Sequence, residues 1–591
     1  MKSFQKLTWL MALVLLAPNY ASYAKTGKHA VTQREDREPE AATGYQHKTA
    51  VVGSKYMVVA ANPYASKAGY HILQQGGSAV DAAIAVQMVL NLVEPQSSGI
   101  GGGSFILHWD KKSKTLKTYD AREKAPALDT PALFLDKQGH AIPWIKAVVG
   151  GRSIGVPGTL MALYQAHQQY GKLPWASLFT EAIKLAEHGF VVSPRMAQEV
   201  ALKLNPGVEV LPTIKRYLHP NGQPIKAGYL LKNPQLAKVF RSIATEGIKP
   251  FYNGWIAKDI VHAVQNAAVA PGKLQLADLA NYRVINRQPV CASYHQYNVC
   301  GMAPPSSGGI TILQILQQLE PFNLAQYQPN SVTALHLFAE SSRLAFADRN
   351  RYIGDTDFVQ VPVKGMLDKQ YLHERAKLIS TKRTMLTASP GKPAGALARA
   401  DDNAYELPCT SHISIVDADG NAISMTTSIE MAFGSAVMVD GFILNNQLTD
   451  FSLSPERNGV PVANRVEANK RPRSSMSPSM VFNHDGSLKL IVGSPGGSRI
   501  IDYVAQTIIG VLDWNLDPQQ AINLPRITDR DNNFTSLERG TPIVKDKAKL
   551  EAMGHRVVVL DLNSGLHAIE LANGKLIGGA DPRREGLVLT K

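Results

Sequence analysis

Cysteine is scarce: the chain has three in 591 residues, with no C-x-x-C and no H-E-x-x-H. Those absences remove the common zinc patterns, so no catalytic metal and no cofactor are expected. Charge is also thin, at 19% of residues against 45% hydrophobic, which excludes a chain disordered overall. Past the N-terminus no apolar run is long enough to cross a bilayer, and no repeat recurs at a solenoid period. The formal charge is +14, yet no basic-aromatic stripe is present, so nucleic acid is not an expected partner. The glycine-rich stretch Ser97–Ser104 (SSGIGGGS) lacks the Lys-Ser/Thr ending of a phosphate loop and reads as a tight turn between a helix and a strand.

What is present begins with an export signal. Lys2 and Lys6 precede an apolar run from Leu7 to Leu16, and Ser22-Tyr23-Ala24 supplies small residues for cleavage after Ala24. Residues 1–24 therefore read as a signal peptide, which makes the protein periplasmic or secreted. Its removal takes two lysines and no acids, lowering +14 to +12. Residues 25–49 are polar and aperiodic and are expected to form a mobile lead-in. The periodicity then predicts helices at Tyr64–Gln75, Ala79–Leu92 (apolar all round, hence buried), Thr311–Gln318, Val332–Arg349 (amphipathic) and Ile500–Leu512. A mainly helical layer is expected over 155–285, and an exposed connector over 380–407. Gly151-Arg152-Ser153-Ile154-Gly155 matches the G-x-S-x-G elbow, but Val156-Pro157-Gly158 follows and argues against the helix an elbow needs. In VCASYHQYNVC a two-residue turn at His295-Gln296 sets Cys291 opposite Cys300. A disulfide and a pair of buried free thiols are both open readings there.

The chain is organised around Pro408-Cys409-Thr410-Ser411-His412. Thr410–Val416 (TSHISIV) has the β-branched alternation of a half-buried strand, Asp417–Asn421 has hairpin-turn residues, and Ala422–Ser428 (AISMTTS) returns. Centring the turn on Asp419 sets Thr410 opposite Ser428, so two hydroxyls meet at the head of one ribbon.

The blocks around this ribbon, TSHISIVDADGNAISMTTSIEMAFGS, FILNNQLTDFS, KRPRSSMSPSMVF and GSPGGSRI, resemble the small subunit of the γ-glutamyltranspeptidase family of N-terminal-nucleophile hydrolases. Upstream, ANPYASKAG, GGSAVDAAIA, SSGIGGGSF, AREKAP, GVPGT, PPSSGG and AESSRLAFADRNRYIGD extend the resemblance over roughly residues 50–585. The resemblance implies an α+β, four-layer αββα sandwich built jointly by a large subunit (50–409) and a small one (410–591), after the chain cuts itself between Cys409 and Thr410. A threonine hydroxyl is a weak nucleophile that needs an adjacent base, and the cut frees an α-amine with a reference pKa of about 7.7–8.0.

By the same resemblance Thr410 attacks γ-glutamyl amides such as glutathione. Ser428 stands where the family has a threonine bonded to the nucleophile, and Gly496-Gly497 match its oxyanion-hole pair. Arg122, Ser474 and Ser475 match the residues that take the substrate's α-carboxylate, and Gln447 and Asp450 those that take its α-ammonium. Glu430 departs from the asparagine usual at its position, and the loop over 452–470 carries no aromatic residue of the kind found in a family lid. The expected activity is γ-glutamyl hydrolysis, or transfer to an acceptor amino acid or peptide. The rivals are a glutaryl- or cephalosporin-type acylase of the same fold, suggested by Glu430, and a non-catalytic exported binding protein.

Overall fold

The computed structural model describes residues 40, 42–402, 404, 406 and 409–591; the signal peptide and most of the lead-in lie outside them. Two antiparallel sheets form the centre. The six-stranded sheet runs Leu587–Thr590, Met57–Ala60, Thr410–Val416, Ala422–Ser428, Gly103–Asp110, Thr115–Ala121. The seven-stranded sheet runs Val51–Gly53, Lys575–Ala580, His567–Ala572, Leu488–Gly493, Ser479–Phe482, Tyr297–Gly301, Val290–Tyr294. Both sheets contain strands from before and from after residue 410, hydrogen-bonded to one another.

Alternation along Met57–Ala60 explains the layering. Val58 and Ala60 join a core with the helices Pro63–Gln74 and Ala79–Val93, while Met57 and Val59 point the other way, into a core shared with the second sheet. The helices Gly308–Leu319, Val332–Tyr352 and Ile500–Leu512 contribute to that second core. The result is the αββα sandwich.

Between the sheets the contact is partly polar. His412 bonds Thr426 Oγ1 (2.9 Å) and Ser414 Oγ (3.1 Å), Ser424 Oγ donates to the Val492 carbonyl (3.3 Å), and Ser414 Oγ to that of His567 (3.2 Å). Gly493 belongs here because a Cβ on it would lie 2.2 Å from the His412 ring. Burial, then His567 nearby, holds the His412 pKa well below its ordinary value, so this ring is a neutral packing element.

Several expectations need correcting. The strand Thr410–Val416 is buried at every position rather than half-buried, because it is covered by helices on one face and a sheet on the other. The helix Val332–Tyr352 is buried on nearly all sides rather than amphipathic, its charges being paired internally. The lead-in is docked at its far end: Glu40 is buried, Thr43 and Gln46 donate N–H groups to the Arg583 and Pro582 carbonyls, and Lys48 Nζ donates to those of Asp581, Arg584 and Gly586. The connector is not exposed throughout, since Asp402 and Glu406 are buried. Cys291 and Cys300 face each other in register and are joined by a disulfide. Ser153 of the G-x-S-x-G match is buried in a short 3-10 turn, donating to the Val148 and Gly150 carbonyls, and is no elbow.

Candidate active site

The ribbon has the register read from sequence, with Ser428 opposite Thr410. Thr410 shares its strand face with His412 and Ser414, so its hydroxyl opens at the end of the layer between the sheets. Across that layer the strand Leu488–Gly493 runs out into Gly496-Gly497 and then the helix Ile500–Leu512. One sheet thus supplies the hydroxyl pair and the other the glycine turn.

The hydrogen bonds at Ser428 form a directed chain. Thr410 Oγ1 lies 3.5 Å from Ser428 Oγ, which accepts from the Glu430 N–H (2.8 Å) and donates to the Cys409 carbonyl (2.8 Å). Ser428 therefore polarises the carbonyl that Thr410 would attack. The Thr410 N–H donates to Glu40 Oε1 at 3.0 Å, and Glu40 is in turn paired with Arg584 and lies 3.5 Å from Arg195. Burial pushes the Cys409 thiol well above its ordinary pKa, which keeps it protonated and inert beside Thr410.

A small cavity of about 20 Å³, room for a water molecule, is lined by Thr410, Ser428 and Gly497 together with Arg122, Glu430, Gln447, Asp450, Ser474 and Ser475. Every catalytic and substrate-binding residue read from sequence except Gly496 lines this cavity, and Gly496 precedes Gly497 in the same turn. Gly496 sits at φ 137°, a backbone region that favours glycine, and a Cβ on it would meet the Tyr503 ring at 2.8 Å. Glu406 lines the cavity too, which sequence reasoning did not anticipate.

Charged groups of both signs line or border the cavity. Arg122 is paired with Asp450 and also donates to the Pro472 (3.2 Å) and Arg473 (2.9 Å) carbonyls. Burial pushes Asp450 up to about 7 against the pull of Arg122. Burial and the neighbouring Asp450 push Glu430 well above the usual carboxylate range, with Asn446 Nδ2 donating to its Oε2. Among the described residues, Glu430 Oε1 and Gln447 Oε1 are buried without a hydrogen-bond partner, leaving two acceptors available to an ammonium group. Glu406 behaves oppositely. Burial opposes its ionisation, but Arg349 and Arg473 hold it down to about 2.

Away from this cavity, ligand atoms of His336, Glu340 and His555 lie within 4.8 Å of one another. They are already engaged: the two rings share a 2.7 Å hydrogen bond, and Glu340 is held by Arg343, Thr384 and the Met385 N–H. The glycine run Ser97–Ser104 serves packing, because a Cβ on Gly102 would sit 2.1 Å from the Ser428 carbonyl oxygen and one on Gly101 2.1 Å from that of Ile443. Sequence reasoning missed Glu40, Glu406 and Arg349. Arg349 lies inside the block ADRNRYIGD, where only its position in a helix was legible.

An αββα sandwich with a threonine hydroxyl at the start of a central strand defines the N-terminal-nucleophile hydrolase class. Residues 65–590 match the family described as Gamma-glutamyltranspeptidase. The glutathione hydrolase proenzyme of Bacillus subtilis (strain 168) is 37% identical over 600 residues, covering 99% of each chain. That of Escherichia coli (strain K12) is 37% identical over 545 residues, covering 89% of this chain and 90% of its own. Among solved structures, a cephalosporin acylase from Bacillus halodurans superimposes with a TM-score of 0.82 at 28% identity, covering 92% of this chain and 97% of its own. The chain belongs to the γ-glutamyltranspeptidase family. No described helix is long and apolar enough to cross a membrane.

Proposed function

We propose that the protein is exported, cuts itself between Cys409 and Thr410, and then hydrolyses or transfers γ-glutamyl groups from amides such as glutathione. The observation that carries this reading is the Thr410–Ser428 hydroxyl pair, with the Ser428 hydroxyl on the Cys409 carbonyl, beside a cavity lined by Arg122, Gln447 and Asp450.

In the first reaction Thr410 Oγ1 attacks the Cys409 carbonyl carbon while Ser428 stabilises the developing oxyanion. The C–N bond breaks, the Thr410 nitrogen takes up a proton, and an ester links Cys409 to Thr410. That shift frees the α-amine of Thr410; water then hydrolyses the ester, giving a Cys409 carboxylate and releasing the Thr410 hydroxyl. That amine is the base the hydroxyl lacked. In the second reaction the same hydroxyl attacks a γ-carbonyl, the amine leaves with a proton, and the γ-glutamyl ester passes to water or to an acceptor amine. Gly496-Gly497 supply backbone donors to the tetrahedral oxyanion. The free oxygens of Glu430 and Gln447, with Asp450, receive the α-ammonium, and Arg122 with Ser474-Ser475 the α-carboxylate.

A second reading, acylase action on glutaryl amides, is favoured by the buried Glu430, whose raised pKa lets it sit neutral beside a side chain without an ammonium group. Amine release from a γ-glutamyl anilide beside its glutaryl counterpart separates the two. Preference for the γ-glutamyl compound is expected, and preference for the glutaryl compound would move the protein to the acylase reading.

A further inference from the structure

A strand N–H ordinarily bonds a neighbouring strand, yet that of Thr410 donates to a carboxylate, Glu40 Oε1, at 3.0 Å. Glu40 is buried and does not line the substrate cavity, so it meets the Thr410 nitrogen from outside that cavity. It is held at both ends. Asn563 Nδ2 donates to its main-chain carbonyl at 2.8 Å. Arg584 pairs with its Oε2 and donates to the Asn563 carbonyl through Nη2 (2.6 Å) and Nε (3.2 Å).

The charges around Glu40 come from several elements. Arg195 lies 3.5 Å from Glu40 Oε1, is paired with Glu94 and lies 3.9 Å from Glu199, and all of these are buried. The half-buried Glu585 accepts the main-chain N–H of Arg195 at 2.9 Å. The Cys409 thiol, held protonated, faces Glu40, Glu199, Arg195 and Arg584. Burial, with Glu585 and Glu40 adding to it, pushes Glu94 up to about 7 against the pull of Arg195 and Arg584. Glu94 can therefore release a proton when a cation forms nearby, so the interior need not change its net charge. Before the cut the Thr410 nitrogen is an uncharged amide. The cut turns it into an α-amine with a reference pKa of about 7.7–8.0, and an ammonium formed there lies against a carboxylate already in place.

We propose that Glu40 is the positioning residue of the catalytic base: its carboxylate, fixed by Arg584 and Asn563, receives the α-ammonium that the cut creates on Thr410 and turns the amine toward Oγ1. The proposal rests on the reading of a self-cut γ-glutamyl enzyme. In acylation the Thr410 hydroxyl proton moves to the amine nitrogen as the bond from Oγ1 to the γ-carbon forms. That proton then passes to the leaving nitrogen as the carbon–nitrogen bond breaks. Glu40 neither gives nor takes a proton. It keeps one N–H of the amine, which fixes rotation about the Cα–N bond and leaves the lone pair free for Oγ1. A carboxylate at this distance favours the charged amine and raises its pKa, while Arg584 and Arg195 limit the rise. The end of the lead-in thereby becomes part of the mature site.

The acylation rate at saturating γ-glutamyl anilide, followed against pH on fully cut protein, reads the base within the bound complex. Glu40→Gln is expected to move the acid limb down by about one pH unit and to lower the plateau about tenfold, because the amine loses its counter-charge and its alignment. Glu40→Asp should bring the limb part of the way back. Arg584→Gln takes a cation from the same carboxylate and is expected to move the limb the opposite way, by about half a pH unit; it decides the question if Glu40→Gln does not mature. A merely structural change would lower the rate and leave the limb in place, so limbs at the wild-type position in both variants overturn the proposal. The comparison is repeated without substrate by competitive acetylation of the Thr410 amine with acetic anhydride across pH, read by mass spectrometry of the Thr410 peptide, and the same opposed shifts are expected. Cut protein that leaves the anilide intact removes the γ-glutamyl reading alone, and the acetylation then decides the role of Glu40. A wild-type chain that never cuts itself overturns both.

Discussion

At the scale of residues, the two hydroxyls and their surroundings divide the chemistry. Thr410→Ala is expected to leave one uncut chain without γ-glutamyl activity, and two bands from that variant on a denaturing gel would remove Thr410 as nucleophile. Ser428→Ala takes away the donor to the Cys409 carbonyl and should slow self-cleavage by about a hundredfold, whereas Ser428→Thr keeps the hydroxyl and should process normally. A gel time course on both variants checks this. Glu40 accepts the Thr410 N–H; Glu40→Gln loses a charge-assisted bond and should slow the same time course by about tenfold. The pH profile follows from the groups that must lose protons. Asp450 is held near 7, and the freed Thr410 amine has a reference value of about 7.7–8.0. Both carry a proton at low pH, so kcat/KM for a γ-glutamyl anilide should rise from about pH 6 to about pH 8. A flat profile there would contradict this assignment. Thr410, Ser428 and the glycine pair were legible because their types and spacing repeat a family pattern. Glu40 and Glu406 were not, because a lone glutamate in a polar stretch carries no sign of the arginine that will meet it.

At the scale of elements, the ribbon and the glycine loop belong together. Gly102 passes so close to the Ser428 carbonyl that any side chain forces the strand away, so Gly102→Ala should destabilise the fold by about 1–3 kcal/mol. It should also cost activity in whatever fraction stays folded. A thermal melt beside an anilide assay reads both effects, and an unchanged melt would mean that the loop can move. Helices with a strong apolar signal were readable almost to the residue: Ala79–Val93 was read as Ala79–Leu92, and Ile500–Leu512 as found. What misled was polarity. In Val332–Tyr352 the residues Glu340, Arg343, Asp348 and Arg349 look like a wetted face, yet Glu340 pairs with Arg343 within the helix, and Asp529, Arg375 and Glu406 from other segments neutralise Arg343, Asp348 and Arg349 in the interior.

At the scale of the whole molecule, the future subunits are laced together. In the six-stranded sheet Thr410–Val416 lies between Met57–Ala60 and Ala422–Ser428, and Ala422–Ser428 is bordered in turn by Gly103–Asp110. In the other sheet Ser479–Phe482 pairs with Tyr297–Gly301, and Lys575–Ala580 with Val51–Gly53. The two products should therefore elute together on size exclusion without denaturant and part only when unfolded; separate elution in native buffer would contradict this strand order. The lacing also gives maturation a direction in time. Before the cut, folding is a first-order event that any single chain can repeat. After it, each fragment lacks neighbours for its own strands, so recovery from unfolding becomes second order and depends on dilution. An enzyme processed as proposed would therefore persist through slow unfolding, and a molecule that once came apart at low concentration would not return.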